Sequence, residues 1–152
     1  MLCNGDFENP RMTSVIWFQY FTSVPCWTSA VNQIEFNRNQ VGMTGQGMDL
    51  DTHGQAGQYF EQTFYLTEGG VYLFKMDYTG NQDNKLPQTS SFSVLFNGEQ
   101  IADVTPVDLN KHELKIRVNA KAGQNVLRLT NKSTTPNYGA YVDNVGIYKL
   151  NV

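Results

Sequence analysis

Few side chains in this sequence stand where they could do chemistry. The carboxylates in notable places are Glu8 in "CNGDFENP", Asp49 and Asp51 in "GMDLD", Glu61 in "GQYFEQTF" and Asp143 in "GAYVDNVGIY". Two carboxyl groups facing one another across a sugar ring would make a glycosidase. Asp49 and Asp51, however, alternate around Leu50, so both leave one face of a short strand, toward solvent or a loop they support. His53 and His112, the only histidines, lie in different turns, with no Ser or Cys at a nucleophile elbow. No His-x-x-x-His or Cys-x-x-Cys spacing suggests zinc. The pattern points away from an enzyme. Glu8 and Asp143 raise another question, because apolar residues flank both. An ionised group pointing into a packed strand gains nothing unless a cation or a set of amides holds it.

The elements that must position these groups are strands. Residues 57–66 and 71–78 are alternating runs joined by "TEGG", whose glycines suit a tight reversal. In the second run Tyr72, Phe74, Met76 and Tyr78 share one face, while Lys75 and Asp77 leave the other. Residues 91–101 alternate Phe92, Val94 and Phe96 and then turn at Asn97-Gly98, a hairpin signal. Leu114, Ile116 and Val118 point inward from 112–120, with Lys115 and Arg117 outward on a solvated face. The runs 125–131 and 140–150, with the shorter "LCNGDFE", "QIEF" and "GMDLD", bring the expectation to eight or nine strands. Nothing is patterned as a helix. An all-β jelly-roll sandwich of two antiparallel sheets is the architecture this implies.

Bulk properties narrow the function. The chain has 152 residues and a formal charge of −3, with 40% hydrophobic and only 16% charged residues. That length suits one domain, 1–152, with a sizeable core. An acidic balance with a pI near 5.2 excludes a nucleic-acid binder that works through a basic stripe. No apolar run is long enough to span a membrane, and the first residues carry no signal-peptide pattern. Cys3 and Cys26 are either bridged, which would contribute roughly 3 kcal/mol, or two free thiols. A glycosylation sequon begins at Asn131, in an expected loop.

Three stretches resist strand assignment: 9–26, 79–90 and 131–139. They hold aromatics that no core position explains, Trp17, Phe18, Tyr20 and Phe21 in the first and Tyr138 in the last, with Tyr78 opening the second. Beside them stand the planar polar groups of Asn81, Gln82, Asp83, Asn84 and Asn137. Flat aromatic faces with planar amides at their edges suit a pyranose. The expected ligand-binding set is therefore Trp17, Tyr20, Tyr78, Asn81, Gln82, Asn137 and Tyr138. The competing reading makes "VIWFQYF" one more strand or a buried flap, since it is apolar on both faces.

"NGDFE", "PCWT", "GQGMDLD", "GQYFEQTF", "GQNVLRLTN" and "GAYVDNVGIY", in this order and spacing, resemble the galactose-binding-domain-like jelly rolls, which include many carbohydrate-binding modules. The resemblance covers nearly the whole chain. It implies a non-catalytic, lectin-like module outside the cell, binding a carbohydrate or glycoconjugate. The alternative is a structural or adhesive domain that meets a protein partner through its aromatic first loop. The resemblance also makes Trp27 a core residue. It implies a structural Ca²⁺ held by Asp6, Glu8 and Asp143, with backbone carbonyls near Asp6 and in 37–46 completing an oxygen shell.

Overall fold

The computed structural model describes residues 2–13, 16–38, 42–52, 57–83, 86–133 and 138–151. Eleven strands run through them: β1 (Phe18–Phe21), β2 (Thr28–Ser29), β3 (Ile34–Asn37), β4 (Gly47–Asp49), β5 (Tyr59–Leu66), β6 (Gly70–Thr79), β7 (Phe92–Phe96), β8 (Glu99–Val104), β9 (His112–Ala120), β10 (Gly123–Asn131) and β11 (Tyr141–Lys149). One sheet has the order β1-β3-β4-β11-β6-β9 and the other β2-β5-β10-β7-β8. Every pairing is antiparallel. This is the all-β sandwich that the alternation implies.

The inward faces supply the core: Phe36, Met48, Phe60, Phe74, Met76, Phe92, Val94, Leu129 and Val142 are all fully buried. Trp27 joins them at 4% exposure and donates its indole N–H to the Asn4 carbonyl. Asn97 and Gly98 both have positive φ, 50° and 84°, so the expected hairpin turn forms between β7 and β8.

Three expectations need correcting. "LCNGDFE" is not a strand. Asn4 and Phe7 take positive φ, 48° and 51°, which breaks any extended run. The segment instead lies over the sandwich end, with Val145 N–H donating to the Gly5 carbonyl at 2.8 Å and the Gln46 amide donating to the Phe7 and Pro10 carbonyls. Gly5 is obligatory there, because a Cβ would strike the Val145 carbonyl oxygen. Second, the stretch 9–26 is not all loop, since β1 pairs with β3 through Phe18↔Asn37 to Phe21↔Ile34. Third, Asn131 ends β10 with no exposure, so the sequon is closed to a glycan.

Cys3 and Cys26 are bridged, which fixes the first segment to the turn before Trp27. No helix among the described residues is long and apolar enough to cross a membrane.

Candidate functional site

The pairing registers build a row of polar side chains across one sheet. Tyr20 of β1 stands opposite Glu35 of β3, Glu35 opposite Asp49 of β4, and Asp49 opposite Tyr141 of β11. Alternation sends Ile34, Phe36, Met48 and Val142 into the core, so the intervening members of these strands must leave by the outer face. At one strand spacing per step the row is roughly 14 Å long. Sequence alone could not assemble it, because its members come from both ends of the chain.

The row is on an outer face yet shielded. Glu35 is 7% exposed, Asp49 2% and Tyr141 3%. Above Tyr141 lies a hollow of about 220 Å³ lined by Trp17, Arg38, Gln82, Asp83 and Tyr141. The Tyr141 hydroxyl donates to Asp83 Oδ2 at 3.4 Å, joining wall to floor. Trp17 is held edge-on against Phe18, with ring centres 4.9 Å apart, and remains 39% exposed. Gly139 lets the chain before β11 lie flat on the row: a Cβ there would stand 2.7 Å from Asp49 Oδ1.

Burial sets the protonation of the row. It pushes Asp49 well above the usual carboxylate range, and the neighbouring Glu35 charge pushes the same way. Burial also raises Glu35, although hydrogen bonds from Asp49 and from Tyr20 favour its ionised form. The pair therefore shares one proton, carried on Asp49 and donated to Glu35. Tyr20 is pushed up to about 12, by burial first and Glu35 second. Burial and the acidic neighbours likewise raise Tyr141. Both tyrosines stay neutral donors at physiological pH. Two carboxyl groups in direct hydrogen bond stand closer than the roughly 5–5.5 Å of a retaining glycosidase, so the pair is not built for that reaction.

The expected ligand-binding residues divide. Trp17 and Gln82 stand together on the hollow, and Tyr20 lies at the far end of the row from Tyr141 and does not line the hollow. Asn81 is fully buried; its amide donates to the Gly139 carbonyl and its side-chain oxygen accepts from Asp83 N–H, so it shapes the loop that carries Gln82 and Asp83. Tyr78 packs on Phe92 and stacks on His112 within the sandwich. Tyr138 is half-buried, with its carbonyl held by Ser90 and Ser133, and it is not on the hollow. Asn137 lies outside the described residues, as do Asn84 and His53. Glu35, Arg38 and Tyr141 were missed; Asp49 and Asp51, expected to face solvent or support a loop, are buried against the backbone at Gly139. Asp77, expected outward beside Lys75, is also buried, and accepts from the Asn144 amide at 2.9 Å.

A second acidic cluster joins the first segment to β11. A bulge in β11 between Asp143 and Gly146 re-aims Asp143, which is 1% exposed. Its Oδ1 accepts from Asn144 N–H at 2.8 Å. Burial raises it to about 8, and Glu8, Asp77 and Asp6 add repulsion. Glu8 accepts from Gln46 N–H at 2.8 Å and pairs with Arg11 at 3.1 Å, and Asp6 accepts from Glu8 N–H at 3.3 Å. Gly45 leaves space for Glu8, since a Cβ there would strike its carboxylate. Among the described residues no three His, Cys, Asp or Glu side chains are grouped so that they could hold a metal ion.

Neither a protein-family model nor a curated protein matches the sequence. Solved structures do match in three dimensions. A family 35 carbohydrate binding module from Clostridium thermocellum is similar over 86% of this chain and 98% of its own, with a TM-score of 0.58 and 17% identity. The CBM36-1 domain of a multidomain xylanase from the hindgut metagenome of Trinervitermes trinervoides follows at 0.55, with 18% identity over 75% of this chain and 86% of its own. The C-terminal CBM6 of a marine laminarinase from Zobellia galactanivorans gives 0.53, with 15% identity over 87% and 99%. The fold is a jelly-roll β-sandwich, the same as that of these modules. In this jelly roll the hollow and the Asp143 cluster share the outer face of the six-stranded sheet, one step apart along β11.

Proposed function

We propose that this jelly roll is a non-catalytic carbohydrate-binding module that works outside the cell and is braced by a structural calcium ion. The observation that carries the reading is the hollow itself. A half-exposed tryptophan, a planar amide, a guanidinium and a carboxylate converge on the neutral Tyr141, whose neighbours along the row are the buried acid pair. That is the mixture of flat apolar face and convergent polar groups that a sugar ring requires. At about 220 Å³ the hollow is below the roughly 300–1,000 Å³ of drug-sized sites, so it suits one ring of a chain. The neighbouring solved modules are described as carbohydrate binding, which supports the same reading.

The calcium part of this reading is supported by the acidic donors around Asp143, although Asp6, Glu8 and Asp143 are not grouped as a metal shell in the described residues. Asp143 is a buried carboxylate repelled by Glu8, Asp77 and Asp6, surroundings that a hard cation would relieve, with Arg11 already paired to Glu8 and Lys111 to Asp77 at the cluster's edge. Asp6, Glu8 and Asp143 would hold it, with carbonyls and water filling the shell. When bound, the ion would tie the first segment to the last strand. The disulfide suits an oxidising compartment.

The test is a glycan array on the purified protein with calcium present, followed by titration of any hit. A hit lost in Trp17→Ala, with the melting temperature unchanged, would support the reading. An array blank at high protein concentration would overturn it, and protein partners of the exposed Trp17–Tyr20 face would then be sought.

A further inference from the structure

One wall of the hollow is the segment 80–83, which brings Gln82 and Asp83 to it. The Gln82 amide nitrogen has two protons, and both are spent. One goes to the Gly80 carbonyl and the other to the Leu109 carbonyl, each at 3.0 Å. Two carbonyl oxygens beside one end of an amide settle that this end is the nitrogen. What remains of Gln82 is its oxygen, so it meets a ligand only by accepting, as from a hydroxyl. Part of that orientation is set from outside the wall. Leu109 belongs to 105–111, the connection that carries the chain from β8 in one sheet to β9 in the other. The two segments are in close contact: a Cβ on Gly80 would stand 3.0 Å from the Asp108 carbonyl oxygen and 2.8 Å from Pro87 Cβ.

The turn bearing Leu109 is held by a clasp. Asp108 Oδ1 accepts from Asn110 N–H at 2.9 Å and from His112 Nε2 at 2.7 Å, so one carboxylate closes a ring around Leu109. These hydrogen bonds, that of His112 first, hold the Asp108 carboxyl below the usual carboxylate range, and Nε2 is the ring nitrogen that carries the proton. His112 in turn stacks on Tyr78 with ring centres 5.5 Å apart, and Tyr78 meets the buried Phe92 edge-on. The clasp is thereby anchored to the sandwich. A pair this exposed, 37% at His112 and 40% at Asp108, adds little to folding stability. Its consequence lies in where it puts the Leu109 carbonyl.

We infer that Asp108 and His112 are positioning residues for the hollow, acting through Leu109 on Gln82, a role that rests on the hollow being a sugar site. The clasp places the Leu109 carbonyl, the carbonyl takes one Gln82 proton, and Gln82 is left as a fixed acceptor for a sugar hydroxyl. Without the clasp the Gln82 side chain would turn more freely and lose that freedom again on binding, which weakens the complex.

The experiment compares Asp108→Ala with Asp108→Asn in the full chain. Asparagine keeps an oxygen that accepts from Asn110 and His112, and alanine does not. The first readout needs no sugar: hydrogen exchange of the Gln82 side-chain amide by nuclear magnetic resonance, its signals assigned as the pair missing in Gln82→Ala. Asp108→Ala should speed this exchange about fivefold, and Asp108→Asn should stay within about twofold of the wild type. The second readout is calorimetric titration of the strongest glycan-array hit, with cellohexaose, mannohexaose and xylohexaose alongside. Asp108→Ala should weaken binding about fivefold, the worth of one hydrogen bond, and Asp108→Asn should restore most of it. His112→Ala, which removes the other half of the clasp, should follow Asp108→Ala. Asp103→Ala removes the same charge at an exposed position on β8 and should alter neither readout. Both Asp108 variants should melt within about 2 °C of the wild type. Unchanged Gln82 exchange in Asp108→Ala would overturn the clasp. Faster exchange with unchanged affinity would overturn the positioning role and leave the sugar site standing. Equal losses in the alanine and asparagine variants, or in Asp103→Ala, would reduce the effect to charge and overturn the assignment. A wild type that binds no sugar, with a blank array, would overturn both readings.

Discussion

Asp143 makes stability depend on pH in an unusual direction. The folded protein holds this carboxyl up to about 8, whereas the unfolded chain releases the same proton near 4. Between those values the folded state binds more protons than the unfolded state, so stability falls as pH rises, then levels above about 8. Each pH unit inside the window costs up to about 1.4 kcal/mol, so moving from pH 5 to pH 7 costs at most about 2.7 kcal/mol. At this chain length that is a drop of roughly 5–11 °C in melting temperature. On the proposed calcium reading the ion takes the place of the proton, so the fall measured in chelator should flatten when calcium is added, and the gap between the two curves should widen toward pH 8. The assay is thermal unfolding by circular dichroism at four pH values, with chelator or with calcium. Asp143→Asn should lose both the calcium effect and this share of the slope, keeping only what the Glu35–Asp49 pair contributes in the same direction. A chelated protein whose melting temperature does not change from pH 5 to pH 7, or a variant that keeps the full slope, would refute the reasoning.

Asp49→Asn should be tolerated at pH 7, within about 1 kcal/mol of the wild type in chemical denaturation, because the amide donates to Glu35 as the protonated acid does. Asp49→Ala should lose about 3 kcal/mol, leaving Glu35 buried without its donor. A loss in Asp49→Asn as large as in the alanine variant would show that the proton does not sit there. Reducing the Cys3–Cys26 bridge should cost roughly 3 kcal/mol in the same measurement, and mass spectrometry should find the untreated chain two hydrogens lighter than the reduced one.

Most strands are visible in the sequence because one side of each is buried and the period of two survives. β9 runs over His112–Ala120 as its alternation requires. The acid row is invisible for a physical reason. Alternation tells that Asp49 and Asp51 leave one face together, but their burial depends on the loop bearing Gln82 and Asp83 and on the strand bearing Tyr20. Those neighbours are set by register between distant strands, and register has no local signal here. The first segment misleads in the opposite sense. "LCNGDFE" alternates like a strand, but the positive φ of Asn4 and Phe7 is imposed by close approach to β11 and by packing of Phe7 on Trp27 and Phe36. Trp17 and Gln82 were within reach because a large aromatic and a planar amide in unassigned stretches are conspicuous. Glu35 was not, since one acid in a short strand resembles many others.

The position of β11 has a consequence for how the protein is made. Although last of the eleven strands described, it is a central strand, hydrogen-bonded to β4 on one side and β6 on the other. Until it emerges from the ribosome, β1-β3-β4 and β6-β9 are separate half-sheets, each with an unpaired edge facing the other. Such edges are templates for pairing with the wrong chain. Its arrival closes both edges and, in the same step, delivers Tyr141 to the hollow and Asp143 to the acidic cluster. Both clusters thus depend on one strand: a chain that stops before Tyr141 has neither the continuous sheet nor the side-chain groups built on it.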